Sequence, residues 1–433
     1  MRKDKRVENI AYFFHASHEN TLAYHRVVGP SRHLGLNVIR GFDEGKINVD
    51  CVTEGDVVVI QRDFPRFYQD YERIISLARK EKKPVVLDLD DLLFELPEDH
   101  PDRQSLAFSE SLLPALQALM EVDLVTVATT TLKEYFQDYN RHITVLSNYL
   151  NDDLWTLREP INDLDPDRPV TIGYMGGDSH EPDLRLLEPI LLELVERYPS
   201  KVQFAFWGIA PPAELIETAD VIHVPMRIFN YPEFVANFQN ASADIFVAPL
   251  VDNLFNSCKS AIKFLEYSTL GVPGVYSNSL PYSSVITNGD DGYLASTPNE
   301  WLDCLGKLIE SPETRIEMAS NAQKTIRRKW MLSKNAHLWQ EAYQEALERK
   351  TPKRATKPFV ETLKSITTQM EEFSTQQEQH VQALMEQVDV REQEVQALTT
   401  QVDEQDKQVQ ALTVRADEQE QKVQTLKEQV DRA

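Results

Sequence analysis

Short apolar runs alternate with helix-like segments along the first third of the chain. The runs are compact and rich in β-branched residues: IAYFF (10–14), VVVI (57–60), PVVLDL (84–89), LVTVA (124–128) and ITVL (143–146). Continuous apolar runs of this length are typical of parallel strands that are buried on both faces. With helical patterns at 66–82 and 105–121 between them, they predict a doubly wound α/β sheet over residues 1–157.

A second series of the same kind follows. Its predicted strands are VTIGYM (170–175), VQFAFWG (202–208), VIHV (221–224), DIFVAPL (244–250) and GVYS (274–277), with helices at 183–198 and 232–241. Between the two series, the segment 158–169 has three prolines and no apolar periodicity. We therefore predict two Rossmann-like domains, 1–157 and 170–350, joined by a linker at 158–169.

The C-terminal end repeats every 14 residues, as VQALMEQVDVREQE, VQALTTQVDEQDKQ and VQALTVRADEQEQK. With Val381 at heptad position a, Val or Ala fills every a position and leucine fills every second d position. The intervening d positions hold Arg391, Gln405 and Gln419. This pattern predicts a coiled coil over 381–433, after a linker and helix at 351–380. The alternative is a solitary solvated helix, because so much of the seam is polar.

Composition narrows the function classes. A net charge of −24 argues against a nucleic-acid-binding surface, which would need a basic face. Three cysteines without paired spacing give neither a disulfide framework nor a zinc site. No apolar run reaches the roughly 18 residues of a membrane span. We expect a cytoplasmic protein, with peripheral contact to the inner membrane face left open.

Two stretches of the second half follow predicted strands and carry residues suited to an anionic ligand. In GYMGGDSHEPDL (173–184), Gly176 and Gly177 would let backbone amides approach a phosphate, and His180 could reach the same place. The alternative is an ordinary glycine-containing turn between a strand and a helix.

The other stretch is NSCKSAIKFLEYSTLGVP (256–273). A helix beginning near Ser257 or Cys258 would put Lys259, Lys263 and Glu266 on one face. The rest of this helix is apolar, so the charges should be buried and should need partners. A nucleoside diphosphate for the lysines and ribose hydroxyls for the glutamate would supply them. A Lys–Glu pair on a solvated helix face is the alternative.

The first half offers its own polar strand ends. Three acids follow a strand in VVLDLDDLLF (85–94), and three histidines fall within eleven residues of HASHENTLAYHR (15–26). The acids would fit a haloacid-dehalogenase-type phosphatase with Mg²⁺, but Leu92 stands where that pattern has Thr or Val; they would also serve as helix N-caps. The histidines have no carboxylate or cysteine at ligand spacing, so we predict no metal site.

Taken together, these motifs resemble GT-B-fold glycosyltransferases of the large retaining class, in particular bacterial surface-polysaccharide transferases. The family pattern Lys-Ser-x-x-Lys-x-x-Glu-Tyr followed by Gly-x-Pro is matched by Lys259, Ser260, Lys263, Glu266, Tyr267, Gly271 and Pro273. The resemblance covers roughly residues 8–345. Two features depart from the pattern: Cys258 stands where the first of two glutamates is expected, and the glycine-rich loop after the first strand is missing.

The resemblance implies a hexosyltransferase that moves a sugar from a nucleotide-sugar donor to a glycan or lipid-linked saccharide in surface polysaccharide synthesis. Catalytic roles would belong to Lys259, Lys263 and Glu266, and donor binding to Gly176, Gly177, His180, Asn256, Ser260 and Tyr267. Acceptor-side candidates are His15, His18, Arg62, Asp88, Asp90 and Asp91. No cofactor or metal is expected. The competing hypothesis, favoured by Cys258, is a degenerate scaffold that binds a glycan or nucleotide and recruits partners through its coiled coil.

Overall fold

The computed structural model describes residues 6–161, 168–226, 230–349 and 358–430. The chain divides into two units, Met1–Leu363 and Lys364–Ala433. Two six-stranded sheets lie in the first unit, and the described residues of the second unit are part of one long helix. Half of the predicted linker, residues 162–167, lies outside the described residues.

The first sheet has six parallel strands: β1 (Asn9–Phe13), β2 (Asn37–Arg40), β3 (Val57–Gln61), β4 (Val85–Leu89), β5 (Leu124–Val127) and β6 (Ile143–Val145). Their order is β2-β1-β3-β4-β5-β6. Every residue of β3 and β4 is buried, as their unbroken apolar runs predict. The edge strand β2 was not predicted, because its residues are only partly buried or exposed and the apolar run is short. A small antiparallel hairpin follows β2, with two residues in each strand: Phe42–Asp43 pairs with Lys46–Ile47.

The second sheet is also parallel: β7 (Val170–Gly176), β8 (Val202–Gly208), β9 (Val221–Val224), β10 (Ile245–Ala248), β11 (Gly274–Ser277) and β12 (Tyr293–Ala295). Its order is β9-β8-β7-β10-β11-β12. The strand order reverses between β7 and β10, where ligands of doubly wound sheets bind. Five of the six strands were predicted; β12 is a three-residue edge strand with no distinct apolar run.

Helices connect the strands. In the first half they are Thr21–Ala23, Tyr24–Val28 (π), Gly29–Leu34, Cys51–Glu54, Phe64–Arg66 (3₁₀), Tyr68–Glu81, Leu93–Glu95 (3₁₀), Pro101–Gln104, Leu112–Glu121 and Thr130–Phe136. After β7 they are Asp178–His180 (3₁₀), Glu181–Arg185, Glu188–Arg197, Ala213–Thr218, Tyr231–Phe238, Leu254–Ser257, Ile262–Thr269, Leu280–Ser283, Pro298–Glu310, Pro312–Lys329, Leu332–Asn335 and His337–Glu348. The helix predicted over 183–198 is two helices, because Pro189 favours a new helix start.

A single apolar core joins the two sheets. It includes Tyr12 and Val59 from the first sheet together with Trp207 and Phe246 from the second. Two further cores lie on the other faces of the sheets, one for each sheet. The shared core explains why both sheets belong to one compact unit rather than to two independent ones.

The last helix of this unit returns to the first sheet. Trp339, on the helix His337–Glu348, is fully buried, and its indole N–H donates a hydrogen bond to the backbone carbonyl of Arg26. Arg26 lies on the π-helical turn Tyr24–Val28. By sequence this helix belongs to the second half, so its packing ties the two halves of the chain together.

The Arg26 guanidinium is buried at the carboxyl edge of the first sheet, and each of its three nitrogens donates a hydrogen bond. Its Nε and Nη2 donate to the two oxygens of Asp88 at 3.2 and 2.8 Å, and Nη1 donates to the carbonyl of Leu146. Asp88 also accepts from Gln61 at 3.0 Å and from Thr126 at 2.7 Å. Burial works against the charge, but Asp88 raises the pKa of Arg26. One buried ion pair therefore holds together the ends of β3, β4 and β5.

The C-terminal helix runs without a break from Pro358 to Val430. Its 73 residues extend about 110 Å at 1.5 Å per residue. It begins well before the predicted coiled coil, and every described side chain from 381 to 427 is exposed, including the valines and leucines of the seam. No helix in the described ranges combines the length and apolar character that crossing a membrane requires.

Substituting Asp88→Ala is expected to lower the free energy of unfolding by about 3–5 kcal/mol, because Arg26 would keep a buried charge without its counter-ion. Urea denaturation measures this. The control is Asp70→Ala, which removes a more exposed ion pair with Arg73 and should change stability by less than about 1 kcal/mol. Equal losses in the two variants would show that Arg26 finds other partners.

Candidate functional site

Two groups of polar side chains lie at the carboxyl ends of the two sheets. We call His180, Asp183, Lys259, Lys263 and Glu266 the second-sheet cluster. We call His15, Arg62, Asp63, Asp90 and Asp91 the first-sheet cluster. Both clusters contain a buried acid, Glu266 in one and Asp90 in the other, that accepts no hydrogen bond within the described chain, unlike Asp88 of the Arg26–Asp88 pair.

The exit of β7 forms one wall of the second-sheet cluster. A Cβ atom at Gly176 would lie 2.9 Å from the Tyr174 hydroxyl, so this glycine is required by packing. Gly177 is exposed, and a Cβ atom there would meet nothing within 4 Å. A ligand can therefore approach the backbone at Gly177, immediately before the helical turn that begins at Asp178.

His180 and Asp183 form a hydrogen-bonded pair, with Nδ1 of the imidazole 2.8 Å from Oδ2 of the carboxylate. The other oxygen of Asp183 accepts from the Val251 amide at 2.8 Å and from Asn256 at 2.9 Å. Burial opposes ionisation of Asp183, but the hydrogen bond from His180 keeps its pKa below the usual value. Burial and the nearby Lys263 lower the pKa of His180 to about 3. The imidazole is therefore neutral, and its Nδ1–H points to Asp183.

The helix expected to begin at Ser257 or Cys258 begins instead at Ile262, so that prediction is wrong. A short helix, Leu254–Ser257, precedes it, and the Asn253 side chain caps that helix by accepting from the Asn256 amide at 2.8 Å. Asn and Ser side chains compete with helical hydrogen bonds in this way. Lys259 therefore lies in a turn between the two helices, with its ammonium 4.9 Å from the Phe255 ring centre.

Lys263 and Glu266 lie on the helix Ile262–Thr269 and are only 7% and 4% exposed. The ammonium of Lys263 is 3.5 Å from the Tyr174 hydroxyl. Burial, together with Lys259, lowers the pKa of Lys263 to about 7. Burial raises the pKa of Glu266 to about 8 although Lys263 opposes this. Among the described residues, the Glu266 carboxylate has no hydrogen-bond partner, which is unusual for a buried acid.

Three of the predicted donor-binding residues make contacts within the protein. Tyr267 stacks on Phe246 with ring centres 4.2 Å apart, and its hydroxyl is 3.3 Å from both backbone polar atoms of Met175. Ser260 accepts a hydrogen bond from Asn148 of the first half at 3.0 Å. Asn256, described above, bonds Asp183. These residues position the second-sheet cluster.

Cys258 is fully buried and packs in the core of the first half. Its backbone carbonyl accepts from the Thr129 hydroxyl at 2.9 Å. Burial raises the pKa of the thiol to about 12. The position at which the family pattern has its first glutamate is thus an apolar contact between the two halves.

The first-sheet cluster follows the ends of β1, β3 and β4. His15 Nδ1 lies 3.6 Å from Asp63 Oδ1, Arg62 Nε lies 3.9 Å from Asp90 Oδ1, and Arg62 Nη2 lies 3.6 Å from Asp91 Oδ2. All three distances exceed a hydrogen bond. Burial lowers the pKa of His15, and burial raises the pKa of Asp90 to about 6 although Arg62 opposes this.

Two predicted acceptor-side residues lie apart from this cluster. Asp88 is buried, and both of its oxygens are bonded in the core, so it is not available to a ligand. His18 is buried beside Tyr12, and burial lowers its pKa to about 4. Asp63 was not predicted, although it lies two residues after the end of β3, and a polar residue just beyond a predicted strand is a detectable signal.

The two clusters are neighbours. Asp91 opposes the fall in the pKa of Lys259 that burial causes. Phe255, beside Lys259, also contacts His100 of the first half, with ring centres 5.2 Å apart.

A groove of about 540 Å³ lies next to the Gly177 turn, lined by Asp178, Glu181, Leu184, Arg185, Glu188 and residues Ile209 to Ala213. Sequence reasoning did not identify this groove.

The buried state of Glu266 predicts a pH-dependent stability. Its pKa is raised from about 4.5 to about 8, so the folded state holds the proton more tightly than the unfolded state. The resulting stabilisation is complete below about pH 4.5 and is lost as the pH rises to about 8. Glu266→Gln should therefore gain stability relative to the wild type between about pH 5.5 and 8.5 in urea denaturation. The exposed Glu217→Gln should show no such change; identical behaviour of the two variants would contradict the prediction.

No protein-family model matches the chain, and no curated protein matches it. Solved structures do. HepE from Anabaena, in complex with UDP and glucose, has 13% sequence identity and a TM-score of 0.54, over 78% of this chain and 100% of that chain. Sucrose-phosphate synthase from Thermosynechococcus elongatus has 12% identity and a TM-score of 0.54, over 78% and 98% of the two chains. A glycosyltransferase from Rickettsia africae ESF-5 has 10% identity and a TM-score of 0.53, over 79% and 99%.

Identities this low establish the fold alone. The aligned region covers nearly the whole of each neighbour and leaves about a fifth of this chain unmatched. The predicted architecture of two Rossmann-like sheets and a long C-terminal helix is confirmed. The first unit of this chain has the GT-B fold that these proteins share.

Proposed function

We propose that this protein is a hexosyltransferase that uses a UDP-sugar donor and a glycan or lipid-linked saccharide acceptor, in the synthesis of surface polysaccharide. One observation carries the proposal. Lys263 and Glu266 are buried without full hydrogen bonding at the carboxyl end of a GT-B sheet. Buried charges need partners, and a nucleoside diphosphate linked to a sugar supplies both an anion and hydroxyl groups.

The lysines stabilise the leaving group. Breaking the bond between the sugar and the β-phosphate leaves negative charge on the phosphate, and fixed cations in a water-poor site stabilise that charge. Lys259 and Lys263 are the cations of the second-sheet cluster, and the Gly177 amide adds a neutral donor. We propose that this reaction proceeds without a metal ion.

The remaining residues of the second-sheet cluster orient the donor. The Glu266 carboxylate is suited to accept hydrogen bonds from two neighbouring ribose hydroxyls. Nδ1 of His180 is bonded to Asp183, so the other ring nitrogen, Nε2, faces away from Asp183. The groove beside Gly177 is suited to hold the base. HepE has been solved with UDP, which is the reason for testing this nucleotide first.

Location and assembly follow from other features. Cys51, Cys258 and Cys304 are unpaired and buried, which fits a reducing compartment, and we propose a cytoplasmic location.

We also propose that the C-terminal helix forms a coiled coil with further copies of this chain. Its seam has Val or Ala at every a position, and the apolar side chains are exposed in the single helix.

Lys263→Ala is expected to reduce kcat/KM for a UDP-sugar by about 10²–10³-fold, because a cation that stabilises the leaving group is removed. Glu266→Gln is expected to weaken donor binding by about tenfold. Both should reduce the rise in melting temperature that UDP produces. The matched control is Lys201→Ala, an exposed lysine next to the amino end of β8.

The same assay separates this proposal from the scaffold hypothesis. Turnover that survives EDTA supports a metal-free transferase. Stabilisation by UDP without turnover of any UDP-sugar would favour a scaffold that binds nucleotide. Equal activity of Lys263→Ala and Lys201→Ala would show that Lys263 has only a structural role.

The coiled-coil proposal predicts that the full chain is an oligomer and that a chain ending at residue 355 is a monomer. Light scattering should give a multiple of 49.7 kDa for the full chain only. Leu412→Asn, at position d, should weaken the assembly, whereas Gln421→Asn, at position f, should not. A full chain that scatters as a monomer would disprove the proposal.

A further inference from the structure

The ammonium of Lys259 is held in an unusual way for a partly buried cation. Asp183 and Asp91 act on it electrostatically, but neither forms an ion pair with it in the described chain, and its Nζ donates no hydrogen bond there. Its contact is the ring of Phe255, whose centre lies 4.9 Å from Nζ. The face of an aromatic ring attracts a cation. The ring is therefore the partner that the folded chain supplies for this charge.

The ring of Phe255 is fixed by the first half of the chain. Phe255 is 5% exposed and, together with Cys258, packs in the core of the first sheet. Its ring meets the imidazole of His100 edge to face, with the centres 5.2 Å apart and the planes at 73°. His100 is itself buried, and its Nδ1 accepts a hydrogen bond from the Asp102 amide at 3.2 Å.

The chain on both sides of Lys259 is also bonded to the first half. The backbone carbonyl of Cys258 accepts from the Thr129 hydroxyl at 2.9 Å. The Ser260 hydroxyl accepts from the side chain of Asn148 at 3.0 Å. Lys259 belongs to the second half by sequence, but the first half thus holds the residues before and after it and the ring that its ammonium contacts.

An apolar packing role alone does not account for a ring at this position. A branched aliphatic side chain would also fill the core, but it would give the ammonium no partner. Lys263 is held in the same way, with its ammonium 4.9 Å from the centre of the Tyr174 ring. The two lysines repel each other, as the effect of Lys259 on the pKa of Lys263 shows. An aromatic face stabilises such charges without neutralising them, whereas a paired carboxylate would compete with an anionic ligand.

We propose that Phe255 is a positioning residue: its ring, held by His100 and the core of the first sheet, fixes the ammonium of Lys259 and keeps it charged. The N–H groups of that ammonium then stay free for an anionic ligand. That this ligand is the leaving diphosphate rests on the transferase function proposed above. The contact between the ring and the ammonium does not depend on turnover, so it can be tested separately.

The test uses the full chain with Phe255 replaced by phenylalanines that carry one, two or three fluorines. Fluorine withdraws electron density from the ring face with little change in size, so the contact with Lys259 should weaken stepwise. Competitive acetylation read by mass spectrometry gives the pKa of Lys259, which should fall along the series by about one pH unit in total. The kcat/KM for a UDP-sugar should fall about tenfold. The same series at Phe204, which is buried in the core of the second half, should change neither.

A double-mutant cycle separates positioning from packing. In a Lys259→Ala background the fluorinated series should have no further effect on the residual kcat/KM, because the ring then has no cation to hold. A falling pKa of Lys259, with a loss of activity that disappears in this background, supports the proposal. An unchanged pKa, or the same loss of activity in the Lys259→Ala background, would show that Phe255 only packs. No turnover of any UDP-sugar by the wild type would count against the transferase function, and a pKa that still falls along the series would leave the positioning of Lys259 standing.

Discussion

The buried guanidinium of Arg26 is the constraint on which the first half depends. A cation removed from water must satisfy all of its donors, and here the partners come from Asp88 on β4 and from the carbonyl of Leu146 beyond β6. The backbone carbonyl of Arg26 in turn accepts a hydrogen bond from the indole of Trp339, far along the chain. The sheet ends and the returning helix must therefore take their places together, which favours cooperative folding of both halves.

The Arg26–Asp88 pair and the first-sheet cluster lie at the ends of the same strands. Arg62 and Asp90 follow β3 and β4 by one residue, so the strands that Arg26 fixes also fix the first-sheet cluster. The second-sheet cluster has a similar support, because Tyr267 anchors its helix to β7. In both halves, hydrogen-bonded residues position polar groups whose burial reduces stability. These residues are Arg26 and Asp88 in the first half and Tyr267 in the second. Such a division of roles is typical of functional sites, where strain and desolvation are balanced by the surrounding structure.

Sequence patterns predicted the architecture well, because buried parallel strands are continuous apolar runs. The edge strands β2 and β12 lack such runs and were missed. The spacing of Lys263 and Glu266 correctly placed both on one buried helix, but it also placed Lys259 there, since periodicity does not register the cap at Asn253. The sequence pattern could not show that Asp88 is bonded in the core and Asp90 is not. The difference comes from Arg26, which is far from Asp88 in the sequence but bonds to it in the fold.

The positions of the three cysteines make their thiols useful as probes of local opening. Cys51 packs in the core of the first half, Cys304 in that of the second, and Cys258 at the contact between them. Burial raises the pKa of each thiol, so alkylating reagents reach a reactive thiolate only after local opening. The labelling rates of these natural thiols therefore report on local opening at three places: the core beside each sheet and the contact between the two halves. The protein thus carries its own cysteine probes of local opening, and no cysteine needs to be introduced.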